Sequence, residues 1–216
     1  MNVVGIKFNS AVKIYDFLPG TTKPEINNWV LVDTTQGKEM GRVVYINKEV
    51  QDNTEGEFKE IIKIADEKDI DRYNRMIAEG EVHFPRYQEC VKEMALDMKP
   101  VKTEVSFDGE RVVCYFTAEN RVDFRELIRE LSRDFKKSII MRQIGPRDEA
   151  KLLDGYGICG QRVCCKRFLT KTESITMDMA REQFENNINA NKVTGLCGRL
   201  MCCLAFEVDP SKTKRK

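Results

Sequence analysis

Short alternating runs fill the first part of the chain. Val3 to Phe8, Val12 to Phe17, Trp29 to Val32, Arg42 to Ile46 and Phe58 to Ile64 are rich in β-branched and aromatic residues, and Gly, Pro and Asn separate them. Five short strands punctuated by turns predict a small N-terminal β-barrel over residues 1–64. The polar, acidic stretch 48–57 reads as a loop. From residue 66 the period changes. Ile70, Tyr73, Met76 and Ile77 share one helical face, and Tyr87, Cys90, Val91, Met94 and Met98 share another. Gly80 and Pro85 interrupt the pattern, and proline suits the first turn of a second helix. Residues 65–99 therefore read as a helical hairpin or a kinked arm. His83, the only histidine, falls at the break and reads as a surface residue rather than a ligand.

Residues 100–150 form an α+β module. Val101, Thr103, Val105 and Phe107 alternate with polar residues, and Val112 to Thr117 makes the return strand. Asp108-Gly109 between them predicts a type I′ hairpin turn, with φ > 0 at both central positions. Asn120 is placed to cap a helix whose apolar stripe is Phe124, Leu127, Ile128, Leu131 and Phe135. Ser138 to Ile144 reads as a third strand, and a right-handed crossover lays it parallel to the second. Cys90 and Cys114 read as core residues. The fold class is thus α+β: small β-barrel, helical arm, β-hairpin–helix–strand module, and a cysteine-rich C-terminal segment over 151–216.

Composition narrows the class. With 41% hydrophobic and 33% charged residues the chain is an ordinary globular sequence. It has no apolar run of the roughly 20 residues needed to cross a bilayer, so no membrane insertion is expected. The first 18 residues lack the basic, apolar and cleavage regions of a signal peptide, which implies a cytoplasmic protein. Net charge is +1 but uneven: residues 49–110 carry 9 basic and 17 acidic groups, and residues 111–216 carry 21 and 14. A basic C-terminal half fits either a solvated surface or an acidic or nucleic-acid partner.

Six of the eight cysteines lie in two copies of one unit. Gly157-Ile158-Cys159-Gly160-Gln161-Arg162-Val163-Cys164-Cys165 is matched by Gly195-Leu196-Cys197-Gly198-Arg199-Leu200-Met201-Cys202-Cys203, at a constant offset of 38. Cytosolic thiols stay reduced, and adjacent cysteines make poor disulfides. A helix starting near Gly160, and again near Gly198, places thiols near its N-terminus, where the dipole favours thiolate, the metal-binding form. Cys159, Cys164, Cys197 and Cys202 then offer four sulfurs for tetrahedral zinc or an iron–sulfur cluster. Cys165 and Cys203 are left to replace a ligand, share a cluster with a partner, or pack inside. Spacing alone leaves iron–sulfur, zinc and unmetallated thiols open.

No nucleophile elbow, Walker loop or acid–base set is present, so the chain does not read as an enzyme. A thiol oxidoreductase would usually carry C-x-x-C, which is absent. Arg162, Lys166, Arg167 and Lys171 flank the first unit, placed either to contact a partner or RNA phosphate or to form a solvated face.

Arg121-Val122-Asp123-Phe124-Arg125-Glu126-Leu127, then Arg142-Gln143-Ile144-Gly145-Pro146-Arg147-Asp148-Glu149-Ala150, then both cysteine units, closely resemble the bacterial YaaT/RicT proteins, the stage-zero-sporulation type of the PSP C-terminal-domain family. The resemblance spans most of the chain and is weakest over 48–100. It implies a cytosolic regulatory adaptor carrying a [4Fe-4S] cluster, complexed with RicA-like and RicF-like small helical proteins. Such complexes work with the endoribonuclease RNase Y in messenger RNA maturation and influence sporulation, competence and biofilm programmes. It implies Cys159, Cys164, Cys165, Cys197 and Cys202 as ligands and leaves Cys203 open. Asn189 to Val193 lacks a proline common there in the family. The competing readings are a structural zinc protein that binds RNA directly, and a thiol oxidoreductase.

Overall fold

The computed structural model describes residues 2–8, 14–34, 37–49, 58–169, 174–184 and 189–207. They form two compact units, 1–144 and 145–216. No helix among the described residues is long and apolar enough to cross a membrane.

The first unit opens with β1 (Asn2–Phe8), β2 (Ile14–Phe17), β3 (Trp29–Thr34), β4 (Gly37–Glu49) and β5 (Ile61–Ile64). They make one antiparallel sheet in the order β2-β1-β4-β3-β5. The expected barrel is not closed. The two edge strands are four residues each and, among the described residues, share a single parallel bridge, Leu18 to Glu60, where Leu18 N–H donates to the Lys59 carbonyl at 2.9 Å and Ile61 N–H to the Leu18 carbonyl at 3.0 Å. One face buries Val4, Ile6, Phe8, Phe17, Val30, Val32, Val43 and Ile61, each side chain contributing about 1.5–3 kcal/mol.

α1 (Glu67–Glu93) is a single 27-residue helix, with no second helix beginning at Pro85. Asp66 and Asp69 cap its start reciprocally, at 2.9 and 3.1 Å. The two expected breakers have other roles. Pro85 and Glu81, whose carbonyl it leaves unpaired within the helix, are both exposed, so water satisfies the lost bond. Gly80 is buried against the following sheet: a Cβ there would lie 2.9 Å from the Thr103 carbonyl oxygen, and the Thr103 hydroxyl donates to the Gly80 carbonyl at 2.6 Å. His83 is not at a break. It is half-buried, stacked on Phe135 with ring centroids 4.1 Å apart.

β6 (Lys99–Val105), β7 (Arg111–Thr117) and β8 (Ser138–Gln143) form a second sheet in that order, β6 and β7 antiparallel and β7 and β8 parallel. α2 (Arg125–Phe135) crosses between β7 and β8. α1 and α2 bury Tyr87, Cys90, Val91, Leu127, Leu131 and Phe135 against Val112, Cys114 and Ile139. Two local expectations fail here. Asn120 does not cap α2; the Asp123 carboxylate accepts the Arg125 N–H at 3.2 Å instead. Nor is the hairpin turn type I′. Gly109 has φ +80° while Asp108 stays at negative φ, and Ser106 N–H donates to the Arg111 carbonyl at 2.9 Å, so the loop runs over four residues.

The second unit contains α3 (Pro146–Leu153), α4 (Cys164–Arg167), α5 (Met177–Gln183), α6 (Ala190–Val193) and α7 (Leu204–Glu207). Among its described residues Ala180, Val193 and Leu204 form one buried cluster, with Ile175, Phe184, Leu200 and Met201 around it, and Ala150, Val163, Cys165 and Leu169 are buried as well.

Candidate metal centre

The repeated sequence folds into a repeated structure. In the first unit Gly160 N–H donates to the Gly157 carbonyl at 2.9 Å, Gly157 N–H to Gln161 at 2.8 Å, and Val163 N–H to Gly155 at 3.1 Å. In the second, Gly198 donates to Gly195 at 2.9 Å, Gly195 to Arg199 at 2.8 Å, and Met201 to Val193 at 3.0 Å. A single antiparallel bridge closes each knuckle, Tyr156 to Arg162 and Thr194 to Leu200. Gly160 and Gly198 sit at φ +73° and +72° with open space where a Cβ would be. Glycine is therefore required by the turn and not by crowding. Each turn holds Cys159 or Cys197 near its tip and brings the chain back toward the paired cysteines.

The helices start later than the sequence predicts. α4 begins at Cys164 and α7 at Leu204, because the residues after each glycine are used by the knuckle. The copies diverge there: Cys164 and Cys165 are helical, whereas Cys202 and Cys203 lie in the turn before α7. The approach to the second unit, which lacks the family's proline, is made by α6, with the Asn189 side chain accepting the Asn191 N–H at 3.0 Å.

All six cysteines of the two units line one cavity of about 360 Å³. Leu196 of the second knuckle packs so closely on Gly155 of the first that a Cβ there would lie 2.6 Å from its Cδ2. Among the described residues, no three Cys, His, Asp or Glu side chains are gathered tightly enough to hold one metal ion, so the cysteines line the cavity without closing into a ligand set. Cys165 is buried, Cys164, Cys197, Cys202 and Cys203 are half-buried, and Cys159 is exposed. Burial pushes the Cys165 thiol above its ordinary value, and the neighbouring Cys202 and Cys197 add to the rise. Burial also raises Cys202, Arg147 opposes it, and Cys164 and Cys197 reinforce it. At Cys165 and Cys202 burial outweighs the thiolate-favouring dipole expected from the sequence.

The flanking cations Arg162, Lys166 and Arg167 are exposed, and each also has a partner on the chain. Arg162 lies 3.5 Å and Lys166 3.2 Å from the Asp154 carboxylate, and Arg167 donates to Gln161 Oε1 at 3.3 Å. The Gly155 N–H, at 2.8 Å, and these two cations hold the Asp154 carboxyl below the usual carboxylate range. Lys171 lies outside the described residues. Cys90 and Cys114, fully buried in the first unit, take no part in the cavity.

Two cations of α3 carry no signal in the sequence that marks them out. Arg147 lines the cavity, and Lys151, one turn further on, is only 8% exposed. Their i, i+4 spacing was visible, but nothing in the periodicity marks a lysine or arginine as buried.

Comparison with known proteins places these features in a lineage. The PSP1 C-terminal conserved region matches residues 59–144, and the third domain of PSP1-like proteins matches residues 174–216. The Stage 0 sporulation protein YaaT of Bacillus subtilis (strain 168) is 43% identical over 216 residues, covering 100% of this chain and 78% of that protein. The chain belongs to the YaaT type of the PSP1 family. An uncharacterized protein of Schizosaccharomyces pombe (strain 972 / ATCC 24843), PB7E8.02, is 24% identical over 144 residues, 54% of this chain and 19% of that protein. No solved structure matches the chain.

Proposed function

We propose that this chain is a non-enzymatic regulatory adaptor of the cytoplasm whose cysteine cavity binds an iron–sulfur cluster of the [4Fe-4S] type. The observation that carries this reading is the convergence of both copies of the duplicated unit, with all six thiols, on one cavity. The donor set fits the group: six cysteines line a cavity of about 360 Å³, which exceeds the needs of a single zinc ion, among mostly apolar neighbours. Cys159, Cys164, Cys197 and Cys202 supply the four basic ligands, and Cys165 and Cys203 stand beside them as exchangeable donors. A bound cluster supplies reversible one-electron chemistry and sensitivity to oxygen.

The regulatory context follows from the YaaT relative, which is named for stage 0 of sporulation. In this reading the chain assembles with small helical proteins of the RicA and RicF kind. It thereby modulates RNase Y, messenger RNA maturation and developmental programmes. The knuckles carry exposed apolar side chains at equivalent positions, Ile158 and Leu196, 65% and 55% exposed. Such residues beside a metal site offer a contact surface to a partner.

Anaerobic purification with an absorption spectrum and iron, sulfide and zinc analysis tests the proposal. A broad band near 400 nm with roughly four iron and four sulfide per chain supports a complete cluster. Less than half of that, restored on adding the partners, supports a shared one. Colourless protein with about one zinc per chain would replace the cluster with a structural zinc site.

A further inference from the structure

α3 presents one cation to the cysteine cavity and carries a second one turn further on. Arg147 lines the cavity, and its Nε is buried with no hydrogen-bond partner among the described residues. Lys151 follows at i+4, on the same helical face, and is buried. Taking part of a guanidinium out of water, as at Arg147, is costly unless something negative meets it. An unpaired guanidinium N–H is a donor awaiting an acceptor.

The cavity offers the source of that negative charge. Four thiolates outweigh the positive charge of a zinc ion or of an iron–sulfur core, so a loaded thiolate site is a net anion. We infer that Arg147 and Lys151 form a cationic wall that selects and retains an anionic, thiolate-ligated metal centre, with Arg147 donating to it directly. The inference rests on the cysteine cavity being the metal site. The electrostatics agree: Arg147 and Lys151 each counter the burial that raises Cys202 and Cys165, respectively. Both are positioning residues, acting through charge and a hydrogen bond and not as ligands.

The test uses the full chain loaded anaerobically, in wild type, Arg147→Gln, Lys151→Gln, the charge-preserving Arg147→Lys, and Arg181→Gln as a distant control on α5. Two quantities are read: the rate of metal loss to excess chelator and the one-electron midpoint potential. Arg147→Gln should lose metal about tenfold faster, and its midpoint should fall by about 59 mV, the equivalent of a tenfold change for one electron. The fall has that sign because a removed positive charge disfavours the added electron. Lys151→Gln should move both quantities in the same direction. Arg147→Lys should recover most of the midpoint, and Arg181→Gln should match wild type. Retention and midpoint unchanged in Arg147→Gln would overturn the inference while leaving the cluster in place. Zinc uptake without iron would remove the cluster reading. The ratio of zinc loss between Arg147→Gln and wild type then decides the wall alone: tenfold supports it and equality overturns it. A wild-type chain that takes up neither metal overturns both.

Discussion

Burial pushes the Cys114 thiol from its ordinary value of 9.0 up to about 12, since the interior of the first unit solvates a thiolate poorly. Unfolding restores the ordinary value. Above pH 9 the unfolded chain has released this proton while the folded chain keeps it, so the unfolded state binds fewer protons. Stability therefore falls as pH rises from 9 towards 12, with a limiting slope of about 1.4 kcal/mol per unit, and is unaffected below that window. Cys114→Val removes this one contribution. Urea unfolding at pH 8, 9 and 10 should show wild type losing roughly 1 kcal/mol more than the variant between pH 9 and 10. Equal losses would mean the buried thiol does not govern the slope. Gly80 gives a second case in which two effects compete. Alanine in a helix interior gains about 1 kcal/mol over glycine. At Gly80, however, its Cβ would meet the Thr103 carbonyl oxygen at 2.9 Å, a strand backbone atom that cannot swing away. Overpacking of this kind costs about 1–3 kcal/mol. Gly80→Ala should thus lower stability by about 1 kcal/mol net, read from the urea midpoint, and a stabilised variant would count against the packing argument.

At the scale of elements, the two knuckles are equivalent in hydrogen bonding and in glycine geometry, and their mutants should be equivalent too. Gly160→Ala and Gly198→Ala each force an L-residue to φ near +73°, at a cost of about 1–2 kcal/mol. Asparagine tolerates that region better. Iron and sulfide content after anaerobic loading should fall by a similar factor in both alanine variants and recover in Gly160→Asn and Gly198→Asn. A defect in one alone would mean that only that knuckle carries ligands. The duplication was legible because the same thiols, glycines and offset recur in the chain. The helix α2 and strands β6 to β8 were legible from their periods, since Leu127, Leu131 and Phe135 fall on one face. The open sheet was not, because closure depends on how far Ile14–Phe17 and Ile61–Ile64 extend as edges, a matter of pairing and not of composition. The continuity of α1 was hidden by Gly80 and Pro85, whose local tendencies yielded to packing and to solvent. The buried charges of α3 were hidden for a different reason. Arg147 and Lys151 look like any solvent-facing pair until the neighbouring thiols are placed.

For the molecule as a whole, the division at residue 144 separates two ways of being stable. The described residues of 1–144 bury side chains over two sheets and the helices α1 and α2. Among the described residues of 145–216 no helix is longer than eight residues, and the buried apolar side chains are Ala150, Val163, Cys165, Leu169, Ala180, Val193 and Leu204. A segment of about 70 residues with so small a core generally needs a staple, and a metal bound by both knuckles would join their folding to its binding. Hydrogen exchange measures this directly, because the amides that close the knuckles are known: Gly157, Gly160 and Val163 in one, and Gly195, Gly198 and Met201 in the other. Loaded protein should protect all six. Removing the metal anaerobically with a chelator should lower their protection by roughly a hundredfold or more, whereas amides in α1 and β7 should keep theirs, since their cores contain none of the six knuckle cysteines. If the six amides stay equally protected without metal, the segment folds on its own side chains and metal binding is not what holds it together. If α1 and β7 lose protection as well, the metal stabilises the whole chain rather than one unit of it.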